Sequence, residues 1–147
     1  MIQRIQTLYL LVSAILISLL FIFPFAEITK DGVLYLLNLQ GIILGSAVIT
    51  NGIAILALVG IILILHGFAI LNYKKRIRQI RLIVYTIIVM MGLFGMFFFV
   101  THYSYAGSQV SFKISHVFPI IAIILDYLAI RAIRKDEALI RSIDRIR

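Results

Sequence analysis

Long apolar runs separated by short polar segments dominate this chain of 147 residues. A helix needs about 20 predominantly apolar residues to cross the hydrocarbon core of a bilayer. Several runs approach that length, and they cover about residues 5–23, 47–71, 82–101 and 116–133. The first run ends before Pro24, which cannot continue a helical hydrogen-bond ladder. The pattern therefore predicts four transmembrane helices.

The two loops predicted on the outer side, residues 24–46 and 102–115, carry strand signals. Asp31 and Gly32 lie between two β-compatible runs, and Asp-Gly is a strong signal for a hairpin turn. Residues 109–115 alternate polar and apolar, as in a half-buried strand. Because an isolated hairpin is marginal in water, we expect the loops to combine into three or four strands. The predicted fold class is an all-α membrane protein, a four-transmembrane-helix bundle with a small extracytoplasmic β-sheet made by the two outer loops.

Composition supports a single integral membrane domain over residues 1–147. Hydrophobic residues make up 63% of the chain and charged residues 14%, whereas a soluble domain has about 25% charged residues. The mean hydropathy is +1.11. The absence of cysteine excludes disulfides and thiolate metal sites. Nucleic-acid binding needs a basic face on a folded domain, so nucleic acid is not an expected partner.

The net charge of +8 is distributed unevenly along the chain. All Lys and Arg residues except Lys30 and Lys113 lie at the start of the chain, in the loop 72–81 or in the tail 131–147. Such residues accumulate in short cytoplasmic loops, so both termini and the central loop are predicted to be cytoplasmic. The residues expected to set this orientation and to contact lipid headgroups are Lys74, Lys75, Arg76, Arg78, Arg81, Arg131, Arg134 and Lys135.

The basic tail 131–147 also contains regularly spaced apolar residues. One interpretation is an amphipathic helix that lies on an anionic leaflet. The other is a solvated helix end in which Glu137 pairs with Arg141 at i,i+4. The sequence leaves both open.

Two ionisable residues, His66 and Asp126, lie inside predicted membrane segments. An aspartate at the centre of a membrane helix costs about 2.5–3.5 kcal/mol on insertion scales. Both residues lie at similar depth near the inner face, and Tyr85 reaches the same level, so the three can form a polar cluster. One hypothesis is a proton relay or ion site. We favour a structural role, in which Asp126 pairs with Arg81 or a nearby hydroxyl and His66 extends toward the interface.

No metal site or cofactor is predicted. His102 and His116 lie near the outer ends of adjacent predicted helices, close to Glu27 and Asp31 of the hairpin. Two imidazoles and a carboxylate can bind zinc. Nothing fixes their spacing, however, and we favour the interpretation that they are ordinary interfacial histidines.

The motifs of common enzyme classes are absent from the sequence. It has no phosphate-binding Gly-Lys-Ser/Thr loop, no His-Glu-x-x-His and no nucleophile elbow. Ser13 and Ser18 have no histidine partner that the sequence assigns. We therefore expect no enzymatic activity.

Small residues recur at three- and four-residue steps on the second and third helices. Such seams let helix backbones approach closely where lipid removes the hydrophobic driving force. We expect the two seams to lie inside the bundle, against each other. They consist of Ala57, Gly60 and Gly67 on the second helix and Gly92 and Gly95 on the third.

Several segments resemble a known family. They are Met1–Thr7, Phe118–Leu125, Arg131–Glu137 and Arg141–Arg147. They are similar to a group of small four-helix membrane proteins from Bacteroidetes, described as domain of unknown function 4293. The resemblance covers essentially the whole chain. It implies an inner-membrane location and four spans, and it supplies no activity and no catalytic residues.

These observations favour a non-enzymatic inner-membrane protein. We expect it to act by association with itself or as an accessory subunit of a membrane assembly, with the lipid bilayer as its other partner. The alternative is an oligomeric channel or small transporter that uses an inner-leaflet cluster of His66 and Asp126.

Overall fold

Four helices and five strands make up the computed structural model, which describes residues 3–45, 47–103 and 107–144. Side chains are described over residues 5–45, 47–102 and 107–139. The helices are α1 (Gln3–Ser18), α2 (Ile53–Leu71), α3 (Arg76–Tyr103) and α4 (Phe118–Asp144). Short 3-10 turns follow α1 at Leu19–Phe21 and precede α4 at Ile114–Val117. The strands are β1 (Ala26–Lys30), β2 (Val33–Asn38), β3 (Gly41–Leu44), β4 (Ala47–Asn51) and β5 (Gln109–Phe112).

The strands form one antiparallel sheet in the order β4-β3-β2-β1-β5. Strand β1 joins the two loops, because Ile28 pairs with Tyr35 of β2 on one side and with Val110 of β5 on the other. The β1–β2 turn lies at the predicted dipeptide: Asp31 and Gly32 have φ values of 52° and 77°. Two successive positive φ values suit the right-handed twist of a two-residue hairpin.

The predicted all-α, four-transmembrane-helix fold class is wrong. The sheet has five strands rather than three or four. By length and composition, three of the described helices can cross a membrane: Ile53–Leu71, Arg76–His102 and Ile114–Leu139. The first apolar helix, Ile5–Phe21, is shorter than these.

The second helix begins at Ile53 because the preceding residues form β4 instead of a helical turn. Val48, Ile49 and Thr50 are β-branched, a class enriched in strands, and β3 pairs with Val48 and Thr50 on either side of a bulge at Ile49. Asn51 ends β4, and its Oδ1 accepts a hydrogen bond from the amide of Ile53, the first residue of α2, at 3.0 Å. A hydropathy pattern does not separate such a strand from the first turn of a membrane helix.

Two glycines let β3 contact the start of α2. The Gly52 amide donates to the Gln40 carbonyl at 2.8 Å. A Cβ at Gly52 would lie 2.3 Å from the Gly41 nitrogen, and a Cβ at Gly41 would lie 1.8 Å from the Thr50 oxygen. Gly41 also has a φ of +116°, which disfavours other residues. This close backbone approach joins the sheet to the helices.

The helices pack so that the sheet and the basic loop lie at opposite ends of the molecule. At one end the Lys113 amide donates to the Phe25 carbonyl at 2.9 Å, which holds β5 beside β1. At the other end the Gln6 side-chain amide of α1 donates to the Asp136 carboxylate of α4. The start of α1, the end of α4 and the α2–α3 connection therefore share one end. We call this the basic end and the other the sheet end.

Candidate functional site

A buried polar layer crosses the helices between their two ends. Ser13 of α1, His66 of α2 and Asp126 of α4 are all fully or almost fully buried. The His66 Nε2 atom lies 3.1 Å from the Asp126 Oδ1 atom and 2.9 Å from the Ser13 Oγ atom. The Ser13 hydroxyl also lies 3.3 Å from the Ala122 carbonyl oxygen. Three helices are thus joined through one imidazole nitrogen.

The protons of this layer follow from its geometry. The His66 Nδ1 atom lies 3.0 Å from the Ile62 carbonyl, which can only accept, so Nδ1 carries a proton. One further proton must lie between Nε2 and the Asp126 carboxyl, because two lone pairs facing each other at this distance would repel. The pair is therefore imidazolium with carboxylate or imidazole with carboxylic acid. Both forms are neutral overall, which limits the cost of burial.

This arrangement differs from a Ser-His-Asp catalytic triad. In a triad the carboxylate binds Nδ1 and the serine binds Nε2, so that the imidazole transfers a proton between them. Here Asp126 and Ser13 both contact Nε2, while Nδ1 is held by the Ile62 carbonyl. The buried serine also has no surface to offer a substrate. The geometry suits the joining of helices rather than nucleophilic attack.

Regular spacing on each helix places the polar layer between two apolar clusters. Buried residues recur at steps of three or four: Leu10, Ser13 and Ile17 on α1; Ile62, His66 and Ala69 on α2; Ile83, Thr86 and Met90 on α3; Ala122, Asp126 and Ala129 on α4. In each set, one outer residue belongs to the apolar cluster at the sheet end and the other belongs to the apolar cluster at the basic end. The polar residues therefore occupy one level of the helix packing.

A second buried polar set lies at the basic end. The Asp136 carboxylate accepts from Gln6, and Gln79 is also buried. Among the described side chains, the apolar cluster that includes Leu10 and Ile133 separates this set from the His66 level. Because Ile133 and Asp136 are buried, the first part of the predicted tail packs in the core. The predicted partner of Glu137, Arg141, lies outside the described side chains.

Tyr85 does not join the polar cluster. Its side chain is 54% exposed, and the next residue, Thr86, takes the buried position on α3. One residue along a helix rotates the side-chain direction by about 100°, which explains the difference. The described contacts of Asp126 are also with His66 rather than with Arg81.

A basic cleft of about 740 Å³ opens at the α2–α3 connection. Ile77 and Glu137 line it, together with five of the predicted headgroup-contact residues. These five are Lys74, Lys75, Arg76, Arg78 and Arg81. The three other predicted contact residues, Arg131, Arg134 and Lys135, are exposed on α4 and do not line it.

The small-residue seams lie on the outside of the molecule, which overturns their predicted place in the interior. A Cβ added at Gly60, Gly67, Gly92 or Gly95 would meet nothing within 4 Å. The neighbours Ile64 and Leu71 on the α2 seam are among the exposed apolar residues. Close packing within the chain therefore does not require these glycines.

The two outer histidines lie in aromatic surroundings. His102 stacks on Phe98 with ring centroids 5.4 Å apart, and His116 lies 4.6 Å from Phe112. Glu27, the predicted carboxylate neighbour, instead binds Lys113 Nζ at 2.6 Å. Over the described residues, no group of three or more His, Cys, Asp or Glu side chains is placed to hold a metal ion.

Sequence reasoning missed Ser13 as a partner of His66. The available signal was its spacing, because Gln6, Leu10, Ser13 and Ile17 form a three-four repeat that predicts one buried face of α1. A serine at such a position has to find an acceptor inside the protein.

Comparison with known proteins identifies the chain only at the level of a family. No curated protein and no solved structure matches it. The model of one family, described as "Domain of unknown function (DUF4293)", matches residues 2–146. Because this match spans nearly the whole sequence, the chain belongs to the DUF4293 family.

Proposed function

We propose that this chain is an integral protein of the bacterial inner membrane that acts without enzymatic activity. In this proposal the basic end faces the cytoplasm. The protein works through helix–helix association, either with a second copy or as an accessory subunit of a larger membrane assembly. The three long apolar helices and the charge asymmetry support the location.

The observation that carries the association is the outward position of the glycine seams. Gly67 on α2 and Gly92 and Gly95 on α3 are exposed, with open space where a Cβ would lie. In lipid, such surfaces let a second helix approach at backbone distance and gain van der Waals contact. Within one chain, these glycines do not contribute to close packing between helices.

The edge strand β4 supports the same proposal. All of its described residues are exposed, including Val48 and Ile49. An exposed apolar edge strand presents unpaired backbone groups to another chain.

The polar layer supports a structural role over transport. His66 and Asp126 are closed off from solvent, and an apolar cluster lies between them and the polar residues of the basic end. A proton relay needs hydrogen-bonding groups in sequence. We therefore do not adopt the channel or transporter alternative.

Replacing the glycines tests the proposal. We expect wild-type protein in mild detergent to have a mass above that of one chain. We expect two double variants to have the mass of a single chain, because leucine prevents a partner backbone from approaching closely. They are Gly60→Leu with Gly67→Leu, and Gly92→Leu with Gly95→Leu. Since an added Cβ at these positions meets no atom within 4 Å beyond its own helix backbone, the monomer should still fold.

The matched control is Ile120→Phe with Ile124→Phe, which adds bulk to exposed positions of α4. This variant should keep the wild-type mass. A wild-type protein that runs as one chain without any companion would contradict the proposal, as would equal loss of mass in the control.

A further inference from the structure

The basic cleft concentrates positive charge at a single site. Its lining includes Lys74, Lys75, Arg76, Arg78 and Arg81 against one carboxylate, that of Glu137. Like charges held together repel, and an anion in the cleft would relieve that repulsion. Planar guanidinium groups bind phosphate oxygens in pairs, which makes arginine-rich clefts suitable for phosphate.

The local backbone adds to this preference. The cleft surrounds the start of α3, where the first intrahelical bond runs from the Gln79 amide to the Lys75 carbonyl at 3.0 Å. The amides of the first turn before it have no intrahelical acceptor and carry the positive end of the helix dipole. The first turn of α3 contains no acidic residue to offset them.

A second cleft points to a ligand with an apolar part. It has a volume of about 340 Å³ and is lined by Asn72, Arg78, Arg81, Leu82 and Tyr85. It shares two arginines with the basic cleft and continues along α3. Tyr85 is exposed there, and so is Ile88 one turn further, at 60%. Positive charge thus gives way to an apolar helix surface over about two turns.

We propose that this pair of clefts binds an acidic phospholipid. The phosphate headgroup occupies the basic cleft, with Arg78 and Arg81 as its principal ligands, and the acyl chains lie along α3 beyond Leu82 and Tyr85. This inference rests on the proposed membrane location and is independent of the proposed association.

The test measures lipid binding to the full chain in neutral detergent by native mass spectrometry. The probes are phosphatidylglycerol, zwitterionic phosphatidylcholine and inorganic phosphate. Arg78→Gln with Arg81→Gln should weaken phosphatidylglycerol binding about thirtyfold, since each cation near an anionic lipid contributes a factor of about five. Arg131→Gln with Arg134→Gln removes the same charge from exposed side chains that line neither cleft, and should weaken binding about threefold or less because salt screens exposed charges.

Each outcome decides the proposal. It stands if phosphatidylglycerol binds far more tightly than phosphatidylcholine and only the cleft variant loses binding. Equal loss in both double variants would show bulk attraction and overturn it. Binding of inorganic phosphate as tight as that of the lipid would show a soluble anion site and also overturn it. Arg78→Lys with Arg81→Lys should keep part of the lipid binding, and thermal unfolding in detergent checks that every variant is folded.

Discussion

His66 and Asp126 are tolerated in an apolar interior because each satisfies the other. Neither side chain is stable there as an isolated charge, and the proton between Nε2 and Oδ1 keeps the pair neutral as a whole. The Ile62 carbonyl fixes the imidazole orientation, and Ser13 adds the third helix. Asp126 Oδ2 has no partner among the described residues, so the layer holds the aspartate by one oxygen only.

The loss of stability caused by a substitution in this pair should depend on which buried polar groups it leaves without a hydrogen-bond partner. His66→Ala leaves a buried carboxyl without its partner and should lower the free energy of unfolding by about 3–5 kcal/mol. Asp126→Asn should cost much less, because an amide N–H can donate to Nε2 while Nδ1 still donates to Ile62. Thermal or denaturant unfolding in detergent measures both. Little or no destabilisation by His66→Ala would show that the paired hydrogen bond does not hold the helices.

At the scale of elements, the junction between the sheet and α2 depends on two glycines rather than on side chains. Gly41 and Gly52 bring two backbones together so closely that neither has room for a Cβ. Backbone atoms on both sides cannot move aside as the end of a flexible side chain can. The junction between β4 and α2 is therefore determined by the steric fit of these two backbone segments.

Gly52→Ala, just before α2, and Gly60→Ala, within α2, form a matched pair. The first should destabilise the protein by about 1–3 kcal/mol or more, because its Cβ would overlap the Gly41 backbone. The second should be neutral or stabilising by about 1 kcal/mol, since alanine favours a helix and meets no atom within 4 Å. Unfolding midpoints in detergent compare them directly. A neutral Gly52→Ala would contradict the close approach.

At the scale of the whole molecule, the sequence predicted the structural features that depend on residues with one strong local preference. The Asp31-Gly32 turn and the matching depths of His66 and Asp126 are of this kind. The start of α2 is not, because the β-branched residues Val48, Ile49 and Thr50 suit a membrane helix as well as a strand until β3 is placed beside them. The hydropathy pattern of the sequence also did not predict the rotation of each helix about its axis. It decides that Thr86 rather than Tyr85 points inward and that the glycine seams point outward.

Both the association and the lipid site rest on the proposed membrane location, in which the basic end faces the cytoplasm and the sheet end faces outward. The chain has no cysteine, so single substitutions give clean labelling sites. Gln109→Cys places a thiol at the sheet end, and Lys75→Cys places one at the basic end, both at exposed positions.

Labelling of spheroplasts with a membrane-impermeant maleimide is the most direct test. We expect the thiol at position 109 to react in intact spheroplasts and the thiol at position 75 to react only after permeabilisation, because positive loops remain in the cytoplasm. Labelling of position 75 in intact spheroplasts, with position 109 protected, would contradict the account.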